Sequence, residues 1–161
     1  MSFIASFPSA NKALQNYLAS LGPNAPVKTM EEIIKSKKFH PFLQKTLEDA
    51  QKVEGKPEDN ADYQFNLGVE QRLRDAVLKA MNDSNVDVLV YPTANYPPRL
   101  IGDLNTPDGN NNRVLSPPTG FPAFNVPMGF TSQDLPAGIQ FFGKPYTEDL
   151  LVKLSYAYEQ A

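Results

Sequence analysis

Val86-Asp87-Val88-Leu89-Val90-Tyr91-Pro92-Thr93 is the stretch on which the fold turns. From Val86 to Tyr91 it is β-branched and apolar on both faces apart from Asp87, the pattern of a strand covered on both sides. Pro92 ends it. Upstream the apolar spacing is helical, and downstream short apolar runs alternate with turn residues. The prolines mark the same change: ten of the fifteen, with six of the nine glycines, lie between Pro92 and Pro145.

Working back from this strand, the longest helix is expected over residues 60–83, because Val69, Leu73, Ala76, Val77, Ala80 and Met81 form one stripe. Pro41 suits a first helical turn, after which Phe42, Leu43, Leu47 and Ala50 recur at helical steps until Gly55 and Pro57. Thr29-Met30-Glu31-Glu32 has the spacing of a capping box ahead of Ile33 and Ile34. Ser9 is placed to cap a first helix carrying Leu14, Tyr17, Leu18 and Leu21, stopped by Gly22-Pro23.

Working forward, residues 92–118 are too rich in Pro, Asn, Gly and Asp for long regular elements. Ala123–Phe130 and Ala137–Gly143 read as two strands joined by residues 131–136, with Pro127 restricting the first to an edge or bulged position. A last helix starts at Thr147, with Glu148 and Asp149 at its positive end and Leu150, Leu151, Leu154, Ala157 and Tyr158 facing inward. Three strands apolar enough for the interior of a sheet need neighbours to satisfy their backbone groups, so the chain reads as part of something larger.

Composition narrows the function. The 161 residues contain no cysteine and one histidine, His40, which leaves no thiolate, no disulfide framework and no multi-histidine metal site. Fifteen basic against eighteen acidic side chains, with no basic cluster longer than Lys35, Lys37 and Lys38, do not make a nucleic-acid footprint. No apolar run approaches the roughly 20 residues that cross a bilayer, and residues 1–10 lack the pattern of a signal peptide. A soluble chain is expected, with the cytoplasm favoured. No two glycines are adjacent or follow the G-x-G spacing, so no nucleotide cofactor is indicated, and no other cofactor is expected. The acidic pairs Glu31-Glu32, Glu58-Asp59 and Glu148-Asp149 sit at expected helix starts, where the helix dipole alone favours them.

Four motifs in order carry a family resemblance: Asp87–Thr93; Ser116-Pro117-Pro118-Thr119-Gly120-Phe121-Pro122-Ala123-Phe124-Asn125-Val126-Pro127-Met128-Gly129; Leu135–Pro145 with its Gly138-Ile139-Gln140; and the closing Tyr156-Ala157-Tyr158-Glu159-Gln160. Together they resemble the carboxyl-terminal region of amidase signature family enzymes. Asn16–Leu21 and Pro26–Met30 are similar to the family's middle segment, so the likeness runs along about the whole chain, more loosely over residues 36–85. The implied fold is α/β, helices packed on a small mixed sheet that is part of the larger amidase signature fold. Residues 1–161 are then the carboxyl-terminal portion of one amidase domain, mainly helical over 1–85, with strands, Pro/Gly-rich loops and a closing helix over 86–161.

The resemblance implies hydrolysis of an amide C–N bond by a serine activated through a second serine and a lysine. None of that machinery carries over: the sequence has no Ser-Ser pair, and no residue is assigned a catalytic role. Ser116 is followed by Pro117 and Pro118, so two consecutive backbone amides are not available beside it for an oxyanion hole. The expected function is a non-catalytic part that completes the sheet and one wall of an amide cleft. Its partners are then the missing amino-terminal half of the amidase and a small-molecule amide. Self-association through an exposed sheet is expected of the chain alone, and nucleic acid, membrane and metal are not expected partners. The alternative is a stand-alone binding or scaffold module derived from an amidase.

Tyr91, Thr93, Asn112, Ser116, Thr119 and Phe121 are the substrate-cleft candidates, since they leave or enter strands where α/β proteins place ligands. The other role open to the segment 112–121 is to brace a sheet edge. On an exposed loop, replacing Ser116 or Thr119 by Ala changes stability by no more than about 0.5 kcal/mol; in a buried brace it costs about 1–3 kcal/mol.

Overall fold

A computed structural model describes residues 7–53, 55–103 and 114–161, with side chains from residue 11 onward. The chain divides into two compact units, Met1–Val69 and Glu70–Ala161.

The first unit holds three helices, α1 (Phe7–Ser20), α2 (Met30–Ser36) and α3 (Gln44–Gln51), and the start of α4 (Ala61–Asp83). α1 begins before Ser9, so Ser9 lies inside the helix where a cap was expected. The capping box at Thr29 forms: Thr29 Oγ1 accepts from Glu32 N at 3.1 Å, and Glu32 Oε2 accepts from Lys28 N at 2.6 Å. The carboxylate thus satisfies the amide one residue ahead of the cap. Pro41 starts a 3-10 turn, Pro41–Leu43, which His40 caps by accepting Phe42 N on Nδ1 at 3.3 Å. That turn shifts the following helix, and Phe42 is left 70% exposed. Leu18, Met30 and Ala50, one from each helix, are the buried apolar side chains of this unit.

In the second unit α4 runs within one residue of its expected span. β1 (Val88–Pro92), β2 (Ala123–Phe130) and β3 (Pro136–Gly143) form one sheet in the order β1-β3-β2. Both ladders are antiparallel, where a mixed sheet was expected. The reason is the short hairpin: β2 returns directly into β3, and β1 joins the far side of β3 in the opposite direction. A short helical turn α5 (Ser116–Thr119) precedes β2, and α6 (Glu148–Glu159) follows β3.

The strand pleat gives the sheet two apolar faces. Leu89, Ala123 and Phe142 are cross-strand partners on one face, where Phe142 and Met81 join Phe121 in a cluster packed by Val77 and Leu78 of α4. Phe121 and Phe142 rings lie 6.0 Å apart, tilted by 34°. On the other face Val126, Phe141 and Leu151 of α6 pack with Val88 and Ile139. Gly143 permits this docking: a Cβ there would collide with Thr147 Oγ1 and come within 3.3 Å of both Leu151 methyl groups. The inward face of α6 is accordingly Leu151 and Ser155, with the Tyr158 ring edge-on to Phe141 at 5.7 Å, whereas Leu154 and Ala157, expected inside, are exposed.

Backbone direction settles the two outer strands. Thr93 N donates to Gly138 O at 2.8 Å and Gly143 N to Pro122 O at 3.0 Å. By the antiparallel alternation, the backbone polar groups of Val88 and Val90 face away from β3. The same alternation turns the ring nitrogens of Pro92 and Pro127 outward, where a missing N–H costs the ladder nothing. The ladder also slips between Pro127 and Gly129, a bulge with Gly129 at φ 111°. Pro127 is therefore both at an edge and at a bulge. β1 is an edge strand here, with Val90 51% exposed, although its composition reads as interior.

Candidate functional site

The face of the sheet that begins with the Phe142 cluster becomes polar toward the end of β1. Tyr91, Gln140 and Asn125 are cross-strand partners in one row. Thr93 and Gly138 make up the next row, paired through the Thr93 amide. Thr93 Oγ1 donates to Asn125 Oδ1 at 2.9 Å, a bond between residues 32 apart in sequence. Gly138 makes the approach possible, because a Cβ on it would sit 2.9 Å from Thr93 Oγ1. Gln140, at the centre of the row, is 2% exposed.

This polar end opens into a cavity of about 530 Å³ bounded by residues 93–98, 125–128, 131 and 136–138. The volume is that of a small-molecule site. Its lining side chains carry no carboxylate, ammonium or guanidinium, and prolines, Tyr96, Val126 and Met128 dominate it. Among the described residues no group of three His, Cys, Asp or Glu side chains is arranged to hold a metal ion.

Of the six candidates from the sequence, Thr93 lines this cavity. Tyr91 stands beside it in the row, its ring packed on the Phe142 cluster and its phenol oxygen buried without a hydrogen-bond partner among the described residues. Burial pushes the Tyr91 phenol above its ordinary range, so it stays a protonated donor. Asn112 lies outside the described residues.

Ser116, Thr119 and Phe121 come together in a knot below the sheet. Pro117 and Pro118 occupy the first turn of α5, where absent N–H groups are tolerated, and Gly120 closes it at φ 69°. Thr119 Oγ1 donates to Leu115 O at 2.6 Å and accepts from Phe121 N at 3.2 Å. Ser116 Oγ donates to Phe121 O at 2.7 Å. From α4, Arg74 Nε donates to Thr119 O at 2.7 Å. Thr119 is 2% exposed and Phe121 6%. Each hydroxyl in the knot is engaged with backbone, and neither lies on an exposed loop.

Asn125, Gln140 and Gly138 were not singled out from the sequence, although all three stand in the motifs quoted above. The signal is alternation: Ala123 and Asn125 share a face, as do Gly138, Gln140 and Phe142, so the apolar ends of both strands predict where the polar groups point.

Three antiparallel strands between helices, with a cavity at the end of one strand, define an α/β chain. It belongs to the Amidase family, whose profile matches residues 1–152. It is similar to a glutamyl-tRNA(Gln) amidotransferase subunit from Nostoc sp., 42% identical over 83 residues that make up 48% of this chain and 17% of that protein. The protein of the same name from Thermodesulfovibrio yellowstonii is 37% identical over 81 residues, 47% of this chain and 17% of the relative. The fold resembles the native peptide amidase from Stenotrophomonas maltophilia, with a TM-score of 0.74 at 24% identity over 98% of this chain and 32% of that one. An amidase family protein from Bacillus anthracis has a TM-score of 0.67 at 24% identity, over 93% of this chain and 27% of its own. The chain thus matches less than a fifth of the curated relatives' length and 27–32% of the solved structures'.

Proposed function

We propose that these residues are a non-catalytic carboxyl-terminal part of an amide C–N hydrolase and form one wall of its substrate cleft at the end of β1. The observation that carries the reading is the uncharged cavity beside the Thr93–Asn125 bond, in a chain of the Amidase family. Thr93 faces the substrate. Tyr91, Ser116, Thr119 and Phe121 hold that wall from behind. The nucleophile comes from the amino-terminal half, because the sequence has no Ser-Ser pair and the Ser116 hydroxyl is committed to Phe121 O. A serine so placed, with no paired backbone amides to receive an oxyanion, lacks what acyl transfer requires.

The partner is therefore the serine- and lysine-bearing half of an amidase, and the substrate a small neutral amide. The same reading makes the chain part of a soluble, cytoplasmic enzyme; among the described residues no helix is long and apolar enough to cross a membrane. Amide hydrolysis tests the proposal: absent from the chain alone, present once the other half is supplied.

The outward edge of β1 receives a strand of that partner. In the chain alone it pairs with a second copy, since an unpaired edge is a template for pairing. Sedimentation of the purified chain is expected to show a dimer whose population rises with concentration, and Val90→Lys is expected to return it to monomer. A wild-type chain that stays monomeric throughout removes this part of the reading.

A further inference from the structure

We infer that the cavity at the end of β1 selects an uncharged aromatic group bearing a carbonyl, and that the Asn125 side-chain amide is the specificity-determining donor to that carbonyl. The inference deepens the amide-cleft reading, and rests on it for taking the carbonyl to be that of an amide.

The chemistry of the walls sets the class. A charged ligand entering this cavity gives up hydration and finds no counter-charge on its lining, which disfavours it. Tyr96, Pro97, Pro98, Pro127 and Met128 offer flat or polarizable surfaces, and these suit the face and edge of a ring.

Orientation of the polar group sets the role of Asn125. The Thr93 hydroxyl occupies Asn125 Oδ1, so the two hydrogens on Nδ2 remain to donate. They have no hydrogen-bond partner among the described residues, and Asn125 is exposed. Thr93 is a positioning residue: its hydroxyl holds the Asn125 side chain beside the cavity, with Oδ1 engaged and Nδ2 left to a ligand. Gly138 in turn leaves the space in which the Thr93 hydroxyl stands, 2.9 Å from where a Cβ would be. A single neutral donor pair, held in one orientation beside apolar walls, matches a carbonyl on an aromatic skeleton.

The test is a titration of the isotope-labelled full chain with N-acetylphenylalaninamide, followed by nuclear magnetic resonance. Saturable shifts are expected at Thr93, Asn125, Val126 and Met128. N-acetylglutamylamide and N-acetyllysinamide, which keep the amides and put a charged chain in place of the ring, are expected to bind several-fold more weakly. Asn125→Leu should raise the dissociation constant roughly fivefold to tenfold, the loss of one neutral hydrogen bond, without disturbing the spectrum elsewhere. Thr93→Val, which leaves Asn125 in place but free to turn, should raise it about threefold. Silence at these four residues, equal binding of the charged amides, or unchanged affinity in both variants overturns the inference. The two readings fail separately. A chain that supports amide hydrolysis when joined to the other half, yet shows no shifts at the cavity, leaves the cleft reading standing without this one. Shifts as expected in a chain that never supports hydrolysis do the reverse.

Discussion

Phe142→Ala is expected to destabilise the second unit by about 3–5 kcal/mol, the cost of removing a fully buried aromatic ring. Phe142 is 0% exposed and touches both Met81 and Phe121, so its removal leaves a void between α4 and the sheet that neither neighbour fills without moving. For a unit of this size that loss lowers the melting temperature by about 15–30 °C, enough to unfold the unit at physiological temperature. Phe130→Ala is the matched control, because Phe130 is 74% exposed on the same sheet and should change stability by no more than about 0.5 kcal/mol. Thermal unfolding followed by near-ultraviolet circular dichroism reads both variants. Equal, small shifts contradict the placement of the core.

Thr119→Val is expected to cost about 1–3 kcal/mol although the two side chains have nearly the same volume. The valine leaves the buried Phe121 amide without its partner and takes from the Leu115 carbonyl one of its two donors, the residue 119 amide remaining, while the Arg74 bond to the residue 119 carbonyl survives. Ser116→Ala removes a single bond to Phe121 O and is expected to cost about 0.5–1.5 kcal/mol. Urea unfolding measures both. Changes below about 0.3 kcal/mol in both variants mean that the knot around α5 does not form in solution.

The same knot shows where the sequence is readable and where it is not. The capping box at Thr29, the span of α4, the β2–β3 hairpin and the restriction imposed by Pro127 are local, and each follows from residue chemistry within a few positions. The knot is not local. Ser116 and Thr119 look like polar loop residues until Arg74, 45 positions earlier, reaches the Thr119 carbonyl and Phe121 folds into the core. β1 is the clearest divergence. Its residues are apolar on both faces because one face meets the Phe142 cluster and the other the Phe141–Leu151 cluster, and that pattern carries no information about which edges are paired. The strand direction that makes the sheet antiparallel was likewise absent from the apolar pattern, which is the same for a buried strand running either way. At the site, Thr93 was found from its position after a strand, whereas Asn125 and Gln140 needed the register of β3 against both neighbours.

Amide hydrolysis measured side by side for the chain alone and for the chain joined to the serine- and lysine-bearing portion of a peptide amidase tests the central claim most directly. The expected result is no turnover of N-acetylphenylalaninamide by the chain alone, and turnover by the joined protein that persists in Ser116→Ala at reduced stability. Hydrolysis by the chain alone that disappears in Ser116→Ala, with the fold intact by circular dichroism, contradicts the account and makes these residues an enzyme in their own right.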